Sequence, residues 1–116
     1  MPHDFRDGKT FPRRGRYPLG RYLWLARVID KARAKAHDTI HDYIYPCPMD
    51  RAMMERWGIT SQDFDAALAQ HRNDAAMLAW AESHISDAQA DAANSWLCVE
   101  KFQSLNRQDR EENAFD

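Results

Sequence analysis

The chain is poor in the residues and segments that mark several large classes of protein. It contains only two cysteines, Cys47 and Cys98, in neither CxxC nor zinc-finger spacing, which excludes a disulfide scaffold and predicts free thiols. No segment approaches the run of about 20 apolar residues that a membrane span needs. Residues 1–7 lack the apolar core of a signal peptide, so we expect a cytoplasmic protein with no membrane partner.

What the chain does contain is enough apolar material for one core. Of its 116 residues, 44% are hydrophobic and 29% are charged, and four Trp, four Tyr and five Phe are among them. A chain of this length forms one domain and buries about two-thirds of its unfolded surface. We therefore expect a soluble globule, and the number of aromatic residues for so small a core predicts a homodimer face.

The net charge of −2 conceals two oppositely charged parts of the chain. Residues 1–35 hold ten Lys and Arg against three Asp, whereas residues 36–116 hold six against fifteen acidic residues. Either the basic part packs against the acidic remainder of the same protein or of a second copy, or it binds phosphate or an acidic partner. We favour the first interpretation, since binding a polyanion usually needs a domain that is basic overall.

The first third of the chain divides into an arm and a helix. Residues 1–17 carry glycines, prolines and charges without an apolar period, which predicts an extended basic arm. Apolar residues at helical spacing predict a first helix over 18–36. Three basic residues of this helix form a ridge that we expect to be solvated: Arg27, Lys31 and Lys35.

A proline-bounded connector leads from the first helix to the second. Pro46 and Pro48 exclude helix from the interior of residues 43–48, because each proline removes a donor and extends the residue before it. Pro48 is suited to open a helix, and Gly58 supplies a left-handed stop. The sequence therefore predicts a fixed, extended connector and a second helix over 48–57.

Three further helices follow, each after a residue that caps helix N-termini. The caps are Thr60, either Asn73 or Asp74, and Ser86. The first of these helices spans 61–71, and residues 106–116 form a polar, frayed tail. The fold class that we expect is all-α: a compact bundle of four to five helices over residues 18–105, preceded by the basic arm.

Several segments of the chain together match a known pattern. They are Leu19-Gly20-Arg21-Tyr22, the stretch from Leu25 to Ala34, Tyr43-Ile44-Tyr45-Pro46-Cys47-Pro48-Met49-Asp50, Gly58-Ile59, and Asp74 with Met77-Leu78-Ala79-Trp80. Over roughly residues 12–83 the chain thus resembles a small bacterial family described as domain of unknown function 5069. The resemblance implies an ordered, mainly helical single domain, and it transfers neither an activity nor a catalytic residue.

The connector region holds the densest cluster of reactive groups in the sequence. They are Tyr43, Tyr45, Cys47 and Asp50, with His41 just upstream. A thiolate at a helix N-terminus is stabilised by the helix dipole, so Cys47 is a candidate nucleophile with His41 as its base. Asp50 is a candidate for proton transfer, yet it could equally cap the helix or accept a tyrosine hydrogen bond. An unreactive, buried cysteine is the alternative to catalysis.

A pair of histidines is the one indication of a metal site. His37 and His41 share a helix face if the first helix continues that far, and two imidazoles one turn apart form half of a divalent metal site. No third ligand follows at a clear spacing. Two solvated histidines that complement the negative end of the helix dipole are the alternative. We expect no organic cofactor, and a divalent metal is the one cofactor left open.

The leading functional prediction is the binding of a small anionic or polar molecule, or of an acidic partner, where the connector meets the arm. The residues that we expect to bind it are Tyr43, Tyr45, Arg16 and Arg21. The alternative is a small enzyme that uses Cys47, or Asp50 with His41, with or without a metal. Nucleic-acid association through the arm is a third and weaker hypothesis, since no nucleic-acid-binding signature accompanies its arginines.

Overall fold

Residues 4–112 are described by the computed structural model, and within them the chain forms six α-helices and one π-helical turn. This confirms the all-α prediction, with one helix more than the four to five expected. In chain order the elements are α1 (Leu25–Ala36), α2 (Pro48–Trp57), α3 (Ser61–Gln70), α4 (Asp74–His84), α5 (Asp87–Ser95), the π-helical turn (Trp96–Glu100) and α6 (Phe102–Glu111).

Helices α2 to α5 begin where their N-terminal caps predict. Capping boxes form at the start of α3 and of α5, and the Asn73 side chain accepts a hydrogen bond from the Ala76 amide at the start of α4. Pro48 opens α2, which ends at Gly58 in the left-handed conformation, with a φ angle of 74°. Each of these helix starts depends on a cap or a proline within four residues of it, which is why the sequence predicts them.

The first helix begins at Leu25, and the prediction that it starts at residue 18 is wrong. Residues 18–24 turn back on themselves, and within this turn Gly20 and Trp24 have positive φ angles of 58° and 72°. The Trp24 amide donates to the Gly15 carbonyl at 2.6 Å, and the Trp24 side chain is buried. A residue in the left-handed conformation does not continue a right-handed α-helix, so α1 starts after Trp24.

The C-terminal segment is helical where the sequence predicts a frayed tail. The fifth predicted helix is interrupted by the π-helical turn, after which α6 continues to Glu111. Leu105 is fully buried, and the buried Asp109 pairs with Arg16 at 2.6 Å. The expectation failed because the partner of Asp109 comes from the arm, far away in sequence. The rest of the predicted tail, residues 113–116, lies outside the described residues.

The arm packs onto the rest of the protein at Phe5 and again around residues 12–15, while residues 6–9 are exposed and residues 1–3 lie outside the described residues. Phe5 is only 1% exposed, and Pro12 and Gly15 are buried. Three arginines pair with carboxylates of the same chain: Arg13 with Asp30 and Asp74, Arg16 with Asp109, and Arg21 with Asp87 and Asp91. These pairs confirm that the basic opening packs against the protein's own acidic remainder.

Aromatic and sulfur-containing side chains dominate the core between the helices. The largest of them that are fully buried are Tyr22, Trp24, Met53, Trp57, Phe64 and Met77. Trp80 and Trp96 are partly buried and pack against this core from outside. Among residues 4–112, no helix is long and apolar enough to cross a membrane.

Candidate functional site

The carboxylate of Asp50 lies at the centre of a buried hydrogen-bond network where the connector meets α1. Asp50 is 0% exposed. Trp24 Nε1 donates to its Oδ1 at 2.8 Å, and Lys31 Nζ and the Cys47 amide donate to its Oδ2 at 2.8 Å and 2.9 Å. The Asp50 amide in turn donates to Cys47 Sγ at 3.5 Å, which completes a capping box at the N-terminus of α2. Asp50 therefore joins the connector, α1 and α2, as the capping alternative for this residue predicts.

Lys31 is the basic group beside Cys47. Its ammonium group donates to Cys47 Sγ at 3.2 Å, and the residue is 3% exposed while Cys47 is half-buried. His41, the base expected from the sequence, is exposed and pairs with Asp42 at 3.4 Å. The expectation that Lys31 is solvated is wrong, because α1 turns this part of its basic ridge toward Asp50 instead of toward water.

Tyr43 belongs to a second buried cluster at the end of the described chain. Its hydroxyl donates to the Glu112 carboxylate at 2.9 Å, and its ring packs edge-on against Phe5. The Arg27 guanidinium, which is 4% exposed, makes two hydrogen bonds of 2.8 Å to the same carboxylate. Like Lys31, Arg27 was expected on a solvated ridge, but it is buried where the carboxylate of Glu112, the residue after α6, covers it.

A cleft of about 690 Å³ lies between α1, the end of the connector and α3. Small and apolar side chains make up much of its lining, among them Ala32, Pro46 and Leu68. Its polar lining residues are Arg33, Lys35, His37, Tyr45, Asp65 and Arg72. Of the residues predicted to form a site, Tyr45 and His37 line this cleft. Arg33 and Arg72, which the sequence analysis does not single out, line it as well.

The charges around the cleft are unbalanced in favour of cations. Three cations, Arg33, Lys35 and Arg72, and one carboxylate, Asp65, line the cleft, and Asp65 accepts a hydrogen bond of 2.7 Å from the Tyr45 hydroxyl. Arg33 is also paired at 3.8 Å with Asp74, which does not line the cleft. Lys35 donates to the Tyr45 carbonyl at 2.9 Å. With Arg33 paired to Asp74, Lys35 and Arg72 still outnumber the one lining carboxylate, and an excess of cations at a partly apolar cleft favours an anionic ligand.

The other predicted site residues lie elsewhere in the fold. Arg16 and Arg21 bind carboxylates of α5 and α6, and neither lines the cleft. The histidine pair does not share a helix face, because α1 ends at Ala36 and His41 has a φ angle of 58°. Within residues 4–112 there is no group of three or more His, Cys, Asp or Glu side chains that could hold a metal ion.

The buried tyrosines predict a loss of stability at alkaline pH. Burial raises the pKa of Tyr45, with its hydrogen bond to Asp65 as the next cause, and burial likewise raises the pKa values of Tyr43 and Tyr22. The folded state therefore holds these protons more tightly than the unfolded state. This stabilisation is fully present below a pH of about 10, where unfolded tyrosines ionise, and is lost as the pH rises further.

We expect the free energy of unfolding, from urea titrations, to fall steeply above a pH of about 10. Tyr45→Phe removes the ionisation of one of these three tyrosines. The free energy of unfolding of this variant should therefore fall less steeply over the same pH range. An identical alkaline slope in the wild type and in Tyr45→Phe would contradict the assignment to Tyr45.

Comparison with known proteins gives one family. The family described as domain of unknown function (DUF5069) matches residues 9–115, which is nearly the whole chain and more than the 12–83 over which the resemblance is evident from its motifs. No curated protein matches the chain.

Proposed function

The chain belongs to the DUF5069 family, whose description gives no activity, and from the geometry of the cleft we propose that it is a binding protein for a small anionic molecule with an apolar body. The ligand occupies the cleft between α1, the connector and α3. The observation that carries the proposal is a cleft of about 690 Å³ whose lining holds three cations and one carboxylate, with Arg33 alone of the cations also paired, within residues 4–112, to a carboxylate outside the lining, Asp74.

The size and lining of the cleft suit a molecule of modest size. Ligand pockets typically enclose about 300–1,000 Å³ and combine apolar walls with a few polar groups. The apolar side chains of α1 and α3 would bury the body of the ligand, and a guanidinium fork would bind its acidic group by charge-assisted hydrogen bonds. Arg72 is exposed at the cleft and is the guanidinium that we expect to make this contact first.

The proposed ligand has the chemistry predicted from the sequence, but its binding site lies in the cleft and not where the connector meets the arm. Tyr45 remains a ligand-binding residue, while Arg33 and Arg72 take the part that was expected of Arg16 and Arg21. The pairing of arm arginines with carboxylates of the same chain reduces the charge that the arm offers to nucleic acid. This favours a small-molecule ligand over a nucleic acid.

The test is a titration of the full chain with octanoate, a carboxylate with an apolar tail, followed by backbone amide NMR. We expect octanoate to shift the amide resonances of Ala32, Leu68 and Ala69. Octanol, which has no charge, and inorganic phosphate, which has no apolar tail, should shift them less. Arg72→Gln should weaken octanoate binding by roughly tenfold, because a charge-assisted hydrogen bond contributes about 1.5 kcal/mol or more.

Arg110→Gln is the matched control for this titration. Arg110 is exposed on α6, is not a lining residue of the cleft, and its substitution changes the net charge of the protein by the same amount. We expect it to leave the octanoate affinity unchanged. Equal weakening by both substitutions, or shifts confined to residues outside the cleft, would rule out the proposed site.

A further inference from the structure

We infer that Lys31 and Cys47 form an oxidation-sensitive pair, which a hydroperoxide converts into a covalent sulfur–nitrogen cross-link. The inference rests on the contacts among Lys31, Cys47 and Asp50, and it is independent of the cleft and its ligand. Lys31 Nζ lies 3.2 Å from Cys47 Sγ and 2.8 Å from Asp50 Oδ2. An amine, a sulfur atom and a proton acceptor are thus in mutual contact.

The surroundings hold the amine at the sulfur. Lys31 is 3% exposed, and both of its hydrogen bonds point into the cluster, so its side chain has little freedom to turn toward solvent. Cys47 is half-buried, which leaves a path for a small oxidant such as hydrogen peroxide. Reactants that are held in contact react as a unimolecular pair, without the entropic cost of an encounter.

The first step is oxidation of the sulfur by the peroxide. Cys47 Sγ attacks one peroxide oxygen, the O–O bond breaks, and the second oxygen leaves with the thiol proton as water. The sulfur is oxidised by two electrons to a sulfenic acid, and the peroxide is reduced by two electrons. A sulfenic acid is electrophilic at sulfur and condenses with nearby nucleophiles.

The second step is condensation with the lysine. Lys31 Nζ gives one proton to Asp50 Oδ2 and attacks Cys47 Sγ with the electron pair that this frees. The S–N bond forms as the S–O bond breaks, and the leaving hydroxide takes a second proton from the nitrogen and departs as water. One peroxide is consumed, two waters are formed, and the cross-linked chain has two hydrogens fewer than the reduced chain.

The second cysteine provides a contrast within the same molecule. Cys98 is exposed on the π-helical turn, and no hydrogen bond to its sulfur is found in the described part of the chain. Peroxide reaches Cys98 as well, but no amine donates a hydrogen bond to its sulfur within residues 4–112, so no nitrogen is held against the sulfenic acid formed there. Substituting Cys98 with serine leaves Cys47 as the one thiol and removes every intramolecular disulfide.

The experiment treats the full-length Cys98→Ser protein with hydrogen peroxide and measures the intact mass and the tryptic map. We expect a monomer that has lost two hydrogens, a joined peptide containing Lys31 and Cys47, and recovery of the starting mass with dithiothreitol. The cross-link should also raise the Tm, because it closes a loop between α1 and α2. Cys47→Ser in the same background should give no cross-link.

One further variant and three contradicting outcomes complete the test. Lys31→Met should divert Cys47 to sulfinic acid, and its circular dichroism spectrum reports whether it folds. If Lys31→Met does not fold, the tryptic map of the oxidised Cys98→Ser protein is sufficient to test the inference. Sulfinic acid at Cys47 beside an unmodified Lys31, a bridge that keeps an extra oxygen atom, or a Cys47 that stays reduced would overturn the inference.

Discussion

Replacing Asp50 with alanine is expected to lower the free energy of unfolding by about 3–5 kcal/mol, as measured by urea titration. The substitution removes the acceptor of three buried donors, on Trp24, Lys31 and Cys47. The Lys31 ammonium would then be buried with no carboxylate beside it. Leaving one partner of a buried ion pair without the other is among the most destabilising single changes known.

Asp63→Ala is the matched control for this loss. Asp63 has the same position in the capping box of α3 that Asp50 has in that of α2, but it is exposed. Its replacement should cost at most about 1 kcal/mol, because its exposed capping bond from the Thr60 amide is 3.4 Å long. Adding Lys31→Met to Asp50→Ala should restore part of the stability, because the unpaired charge is removed. A loss of similar size for Asp50→Ala and Asp63→Ala would show that Asp50 only caps the helix.

Replacing Glu112 with alanine is also expected to destabilise the protein by about 3–5 kcal/mol. The Glu112 carboxylate accepts two hydrogen bonds from Arg27 and one from the Tyr43 hydroxyl. The Arg27 guanidinium lies over the rings of Trp24 and Tyr43, at 5.5 Å and 5.8 Å from their centroids. Without Glu112 it would be a buried cation among aromatic rings with no carboxylate in contact.

The neighbouring residue offers the control for Glu112. Glu111 is exposed and pairs with Arg107 at 3.9 Å within α6. Exposed pairs of this kind contribute about 0–1 kcal/mol, so Glu111→Ala should have little effect on urea unfolding. Equal effects of the two substitutions would mean that the end of α6 contributes only helix propensity, and that Arg27 does not depend on its carboxylate.

The parts of the fold that could be predicted are those whose causes are local. The starts of α2 to α5 follow from a cap or a proline within the same turn, and Gly58 ends α2 where a left-handed residue is needed. The start of α1 could not be predicted, because a tryptophan adopts a positive φ only where its side chain is held in a core. The part of α6 after residue 105 was missed for a similar reason, since Asp109 pairs with Arg16 of the arm, and Glu112, just after α6, pairs with Arg27 of α1.

The candidate site was predicted in part. The connector contributes Tyr45 and Pro46 to the cleft lining, and the ligand-binding role of Tyr45 stays a prediction. The burial of Lys31 had no signal in the sequence, because a basic residue at every fourth position is typical of a solvated helix face. Arg33 and Arg72 come together through the packing of α1 beside α3, which no spacing within either segment encodes.

The ion pairs between the two ends of the described chain set an order for events on the ribosome. Arg16 and Asp109 are separated by 93 residues, and Arg27 and Glu112 by 85. Synthesis runs from the N-terminus, so the arm and α1 leave the exit tunnel long before their carboxylate partners exist. The nascent chain therefore cannot form the Arg27–Glu112 pair until translation has passed residue 112, and the packing of α6 against the arm must wait until Asp109 has been synthesised.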